Sequence, residues 1–554
     1  MTEDVLLDEL GDTTDSEQHE AVDLIPPPKS KPNELAGRGD LEKRSCAAKS
    51  YYDHLKHVFG SRFLALLFLV QFCIKGIVYQ VVRRGLFPLL KELNVEATLV
   101  QLYLNVAMSP WALKPVLGIA SDVLVVRGKS KKHWMLASSV VGMLGAVGLA
   151  FGRALSLVGL IVGGMFALSM LGALSDLLSQ AKYSELLREA PQSGSSVVVF
   201  ANGSQQLGYA VACSLLIMFG FKVYLPVFVV VLLCAGSIFI PTLLNFLPEE
   251  THSFSPENGH RGSRHCFLLL GKISHDWKVF AVISLLGLLS QITAFLPLVF
   301  SGLNGLIAAT LIFYSMTCLV LVLAWMIFES KWITIVAVYE VSKRIMRPRL
   351  DSALDFFYTA SNDCIEGGPQ LSQFIYITVA CWMSVVASLV GLVMYQSLFK
   401  RLSFRKIVLL TLVLNAAASF LEFCIIQRWN VGFVPDSVAF LFVNGFIQPL
   451  TQMLSWLPGS VLMAKICPKG MESSVVAFLA GISNFAFGGA QLTGALWMKI
   501  FNIQSSLGNC DFAALPWLIL GCHSFFPLLI GVPMSFLMPK ERQDEDILEV
   551  FVGR

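Results

Sequence analysis

The residues of this 554-residue sequence best placed to do chemistry are ionisable and amide side chains inside otherwise apolar runs. The most informative stretch is P-W-A-L-K-P-V-L-G-I-A-S-D-V-L-V-V-R-G-K-S-K-K-H, Pro110 to His133. It sets Lys114 between Pro110 and Pro115, then passes through Gly118, Ser121 and Asp122 into a basic segment with Arg127 and Lys131. Prolines free backbone groups that hydrocarbon cannot satisfy, so such a helix packs against other helices or lines a wet cavity. An ionisable residue at membrane depth marks a functional site. For Lys114 two uses stay open: it meets an anionic solute, or it pairs with a carboxylate of a neighbouring helix. Lys75, in the middle of Q-F-C-I-K-G-I-V-Y-Q, is expected to face a cavity, because burial without a partner disfavours the charged amine. Glu422 is isolated in L-E-F-C-I-I and either titrates or pairs with a base. Arg83 and Arg84 close the first apolar run, where they attract an anion at its mouth or reach toward headgroups. Asp176, at the end of the fourth run, reads as structural or gating.

These residues have to be positioned by long apolar helices. Hydrophobic residues make up 55% of the chain and charged ones 14%, against about 25% charge in soluble proteins. The apolar runs come close to the ~20 residues that cross a bilayer as a helix, and they lack the period-two pattern of barrel strands. The chain is therefore an all-α polytopic membrane protein. Spans are expected at about 61–82, 97–121, 134–152, 155–178, 195–219, 222–246, 279–300, 303–328, 353–375, 376–399, 406–427, 435–462, 473–499 and 511–538. Residues 1–55, acidic and then rich in Pro and Lys, read as a disordered cytosolic tail, and 540–554 as a short second one. Between spans lie a polar loop at 247–278 and a basic cytosolic segment at 329–352, S-K-R-I-M-R-P-R. With the N-terminus inside, the Lys- and Arg-rich loops fall on the cytosolic face, so both termini are cytosolic.

No CxxC, HExxH or Cys/His cluster calls for a metal or cofactor, and the nine histidines are scattered, so a membrane enzyme is the weaker class. The twelve cysteines, among them Cys73, Cys213, Cys234 and Cys381, read as small buried hydrophobes. Only Cys364 and Cys510 fall near the outer face together, and a disulfide between them stays open.

The basic segment after the second span has a partner, M-Y-Q-S-L-F-K-R-L-S-F-R-K (394–406), in the same place of the second half. This repeat makes two six-helix halves, 56–246 and 353–539, with two extra helices, 279–328, between them. Two parallel halves rocking about a central site are the expected mechanism. Asp122 with Arg127 and Lys131, and Arg405 in the partner segment, are then gate residues, a layout that resembles the major facilitator superfamily.

Four motifs resemble the folate–biopterin transporter family, a branch of that superfamily, and its trypanosomatid-type members most. They are P-W-A-L-K-P-V-L-G-I-A-S-D (110–122), D-L-L-S-Q-A-K-Y-S-E (176–185), F-Y-T-A-S-N-D-C-I-E-G-G-P (357–369) and C-P-K-G-M-E-S-S-V-V-A-F-L-A-G-I-S-N (467–484). In the second, Asp176 and Glu185 match the family pattern while Gln180 replaces an acidic residue. The resemblance implies the superfamily fold and transport of folates or pterins, with protons as coupling ion, at the plasma membrane. Some relatives appear in this family with other metabolites as cargo, S-adenosylmethionine among them. A flat heteroaromatic ring with a glutamate tail calls for a base, an aromatic surface and amides. Lys75, Arg83 and Lys114 supply the first and Trp111 the second. Gln448, Gln452, Asn484 and Gln491 supply the amides, though interhelical hydrogen bonds are the commoner use of such groups. Glu422 is the proton-carrying candidate, and Glu472 joins Asp176 and Glu185 among the gate residues. The bilayer and a small solute are the expected partners, nucleic acid is not, and the chain is expected to be a monomer.

Overall fold

A computed structural model describes residues 51–542, apart from 188–193, 250–259, 264–265, 270–276, 466–471 and positions 130, 221, 301, 329, 400–401 and 507–508. Residues 1–54 form a unit separate from 55–554, and of that unit only 51–54, which are helical, are described.

Six helices come first: α1 (Ser61–Glu92), α2 (Ala97–Met108, a 3₁₀ stretch Ser109–Leu113, and Lys114–Val123), α3 (Lys131–Ala154), α4 (Val158–Leu187), α5 (Gly194–Gly220) and α6 (Leu225–Leu243). Then come α7 (Trp277–Val299) and α8 (Leu303–Ile327). Six more follow: α9 (Lys331–Ile345 and Asp351–Thr359), α10 (Phe374–Phe399), α11 (Phe404–Ile426), α12 (Asp436–Gly459), α13 (Glu472–Ile500) and α14 (Leu515–Ser535). Among the described residues ten of these are long and apolar enough to cross a membrane. Large apolar side chains such as Leu144, Leu233, Leu311 and Val393 are exposed, as an outer surface facing lipid requires.

The first and second halves meet along two seams. On one, α2 packs against α13, and α7 and α8 lie over it. Close approach is possible because Gly481 of α13 leaves room for Pro115. On the other seam α5 packs against α10, and a disulfide joins Cys213 to Cys381 across it. These two cysteines are thus bridged rather than free buried hydrophobes, because the helix pairing brings them within 5.6 Å Cα to Cα. Cys364 and Cys510 form a second disulfide.

The main departure from the expected spans is α9. Residues 353–375 are not one helix: 353–359 are helical and 360–372 irregular, and the helix instead begins at Lys331 and breaks at 346–350. The expected basic segment 329–352 is therefore mostly helix. Pro348 ends the first part because its ring excludes the preceding turn, and the freed groups find partners on three helices. Arg349 N donates to the Ala490 carbonyl at 2.9 Å, and Gln101 Nε2 donates to the Arg349 carbonyl at 3.0 Å. His523 Nε2 lies 2.8 Å from the Pro348 carbonyl. Gly494 is needed opposite, since any Cβ there would strike the Arg349 carbonyl. Irregular backbone of this kind survives at membrane depth only when protein satisfies it.

Two small sheets close the loops. Leu124–Val126 (β1) pairs antiparallel with Cys266–Leu269 (β3), which pairs with His260–Ser263 (β2), and Gln504–Ser506 (β4) pairs with Asn509–Asp511 (β5).

Candidate functional site

In the first half the site is an ion triad. Asp176 of α4 lies 2.5 Å from Lys114 Nζ of α2 and 3.2 Å from Lys75 Nζ of α1. Gln71 and Gln180 Nε2 each donate to its Oδ1 at 3.1 Å. The carboxylate is buried and the Lys75 side chain keeps 22% of its exposure, so the triad is open only on the Lys75 side. Asp176 was expected at a helix end, but α4 continues to Leu187 and carries it into the interior. For Lys114 the structure shows the carboxylate-paired arrangement. Its ammonium also lies 4.6 Å from the centre of the Trp111 ring, which meets Tyr79 edge-on at 5.3 Å. Lys75 stands in a π-helical stretch, Val70–Val78, an irregularity frequent at functional positions.

The break in α2 is satisfied from the opposite half and from α7. Asn484 Nδ2 donates to the Trp111 carbonyl at 3.0 Å, and Gln291 Nε2 donates to the Ser109 carbonyl at 3.2 Å. A cavity of about 20 Å³, the scale of one water molecule, lies here between Asn105, Ser109, Thr293, Asn484 and Phe487.

In the second half the carboxylate is Glu422, buried on α11. Asn444 Nδ2 donates to Oε1 at 2.6 Å and Gln448 Nε2 to Oε2 at 2.8 Å. Arg347, beside it, donates instead to Ser419 Oγ at 3.0 Å and Asn415 Oδ1 at 3.5 Å. Arg349 pairs with Asp351 at 2.5 Å. Gln491 bonds to Gln101 across the halves, and Ser352 Oγ donates to Gln101 Oε1 at 2.7 Å.

Arg83 is not at a helix end, because α1 runs on to Glu92; it is partly buried and faces Tyr79 and Asp351. Near the end of α1, Lys91 Nζ donates to the Thr359 carbonyl at 2.9 Å and joins the halves there. Gln452 is exposed, on the outer face of α12, and so is not a buried amide.

Of the gate residues, the side chains of Asp122, Glu185 and Glu472 lie outside the described residues. Arg127 is exposed at a turn with φ 49°, and the backbone N–H of Lys131 donates to Glu249 at 2.6 Å. Lys129 Nζ donates to Asn245 Oδ1 at 2.8 Å, which ties this segment to the chain after α6. The partner segment does the same: Phe404 N donates to the Glu541 carbonyl at 3.1 Å, and Arg405 Nη2 to the Phe536 carbonyl at 2.6 Å, just past α14. Each of the two segments is thus held by the chain that follows a later helix, α6 or α14.

Sequence reasoning missed Arg344, Arg347, Arg349 and His523, all held inside the bundle. The signal that could have found the three arginines is R-P-R following I-T-I-V-A-V-Y, the same proline interruption beside a base that singled out Lys114.

The sequence model of the BT1 family matches residues 75–550. The chain belongs to this family. "Probable folate-biopterin transporter 6" of Arabidopsis thaliana is 22% identical over 486 residues, 82% of this chain and 78% of that one. The "Folate-biopterin transporter" of Synechocystis is 28% identical over 139 residues, 25% of this chain and 26% of that one. Among solved structures, a peptide transporter of the POT family in complex with sulfate superposes with TM-score 0.58 at 13% identity, over 87% of this chain and 96% of that one. The nucleoside transporter NupG superposes with TM-score 0.51 at 15% identity, over 85% and 98%. The fold of this BT1-family member is that of the major facilitator superfamily, with two helices added between the halves.

Proposed function

We propose that this chain is a secondary active transporter of folate or pterin-like solutes that works by alternating access with proton coupling. The observation that carries the reading is the charged seam between the halves. There two helices, α2 and α9, are both interrupted, beside the Lys75–Asp176–Lys114 triad on one side and Glu422 on the other. Interrupted helices at the contact of two halves are where transporters place their substrate. The names of the relatives support the solute class. Lys75, Lys114 and Arg83 meet the anionic end of the solute, Trp111 its ring, and Asn484, Gln448 and Gln491 its polar edge. Glu422, held by amides rather than by an ion pair, carries the coupling proton. Asp122, Arg127, Lys131, Arg405, Asp176, Glu185 and Glu472 work the inner gate. Both termini face the cytosol, as the Lys- and Arg-rich loops favour, the membrane is the plasma membrane, and the working unit is a monomer.

The test is uptake of labelled folate, biopterin and S-adenosylmethionine by transport-deficient cells at two external pH values. Uptake of folate or biopterin, faster at the lower pH, is expected. Absence of uptake of both, with the protein at the surface, overturns the solute class, and a rate indifferent to pH overturns the coupling.

A further inference from the structure

The break in α9 gathers positive charge where few carboxylates answer it. Arg344, Arg347 and Arg349 stand on α9, and Arg83 of α1 faces the same region. Lys343, one residue before Arg344, places its Nζ 2.9 Å from the Ser455 carbonyl. The carboxylates that face these five cations most strongly are Glu340, Asp351 and Glu422. A buried charge left uncompensated is costly, so a cluster with surplus cations needs a counter-charge from elsewhere.

The cations differ in how well they are satisfied. Arg349 has Asp351, Arg347 has Ser419 and Asn415, and Arg83 has Tyr79. Arg344 has Glu340 one turn back as its nearest counter-charge, yet its fork is poorly occupied. Among the described residues its side chain makes one long hydrogen bond, 3.4 Å from Nη2 to Ser483 Oγ, and no ion pair. Its Nε is buried and has no acceptor. A guanidinium offers five N–H donors in a rigid fork that matches a carboxylate. What covers Arg344 instead is the ring of Phe487, whose centre lies 5.9 Å from it and 5.1 Å from Arg349. That ring also lines the small cavity beside the break in α2. The Phe487 ring therefore touches both the Arg344 guanidinium and this cavity between the halves.

We propose that Arg344 is the docking group for a carboxylate of the transported solute, with the Phe487 ring as its stand-in partner until that carboxylate arrives. The arene contact keeps the guanidinium ordered in the empty state, and a bidentate carboxylate displaces it in the loaded one. A glutamate-bearing pterin presents such a group and a bare pterin does not, so Arg344 sets the preference between the two kinds of solute. This rests on the folate or pterin reading above.

The experiment compares wild type, Arg344→Gln and Arg344→Lys for uptake of labelled folate and biopterin, and for thermal stabilisation of the purified protein by p-aminobenzoylglutamate. Arg344→Gln is expected to lower folate uptake at least tenfold while biopterin uptake stays within twofold. Arg344→Lys, which keeps the charge and loses the fork, falls between. p-Aminobenzoylglutamate raises the melting temperature of wild type and not of Arg344→Gln. Equal losses for both solutes, or unchanged folate uptake, overturn the proposal. If wild type carries neither solute, the reading of the function fails on its own. The melting experiment then decides the docking role, since equal stabilisation of wild type and variant, or of neither, overturns it. Should Arg344→Gln not reach the membrane, the same comparisons are made with Arg344→Lys, for which unchanged folate uptake and unchanged stabilisation are the overturning results.

Discussion

In the first half a buried carboxylate, Asp176, sits between two ammonium groups and two amides; in the second, Glu422 is held by two amides while the nearby Arg347 spends its bonds on a serine and an asparagine. The same chemical group thus has two environments. An ion pair fixes the charged form, because protonating the carboxylate strands two cations. An amide cradle accepts either form at modest difference in energy, because neutral and charged carboxyls both accept hydrogen bonds from it. On the function proposed above, the first half keeps its charge and the second exchanges it.

The sharpest break in this contrast is Asp176→Asn. It leaves the buried Lys114 and the half-buried Lys75 without a counter-charge, and the loss of a partner from a buried pair costs about 3–5 kcal/mol. A large fall in melting temperature of the detergent-purified protein, with loss of uptake, is expected; an unchanged melting temperature would mean the triad is not what holds α1, α2 and α4 together. Glu422→Gln should be milder. One hydrogen bond is exchanged for a poorer one, a change of about 1 kcal/mol, so the protein stays folded while uptake loses its dependence on external pH. Persistence of that dependence assigns the proton to another group. Gln452→Ala, on the outer face of α12, is the control and should change the melting temperature by no more than about 0.5 kcal/mol would. A loss comparable to that of Glu422→Gln would place this face in the working parts of the second half.

Most of the fold was legible because bilayer thickness forces long apolar runs, and these are visible one residue at a time. Lys75 and Lys114 were legible for the same reason, as charges where none belong. What escaped were pairings. The spacing of Asp176 from the apparent end of its run pointed to a boundary, since nothing local shows that α4 continues to Leu187. The arginines of α9 were hidden by the rule that finds loops: four basic residues and a proline look like a cytosolic turn. Only contacts with Gln101, Ala490 and His523, distant in the chain, show that the bundle absorbs them. Cys213 and Cys381 are 168 residues apart, and no spacing argument connects them.

That bridge has a mechanical consequence. Two bodies riveted at one point can still swing, but only about the rivet. With Cys213 and Cys381 joined, the α5–α10 seam cannot slide or part at that level. The opposite seam, where α2 faces α13 under the cover of α7 and α8, is held by packing and hydrogen bonds that can be remade. If the halves open as proposed, they do so as a clasp pinned on one flank, with the greatest travel on the flank away from the pin.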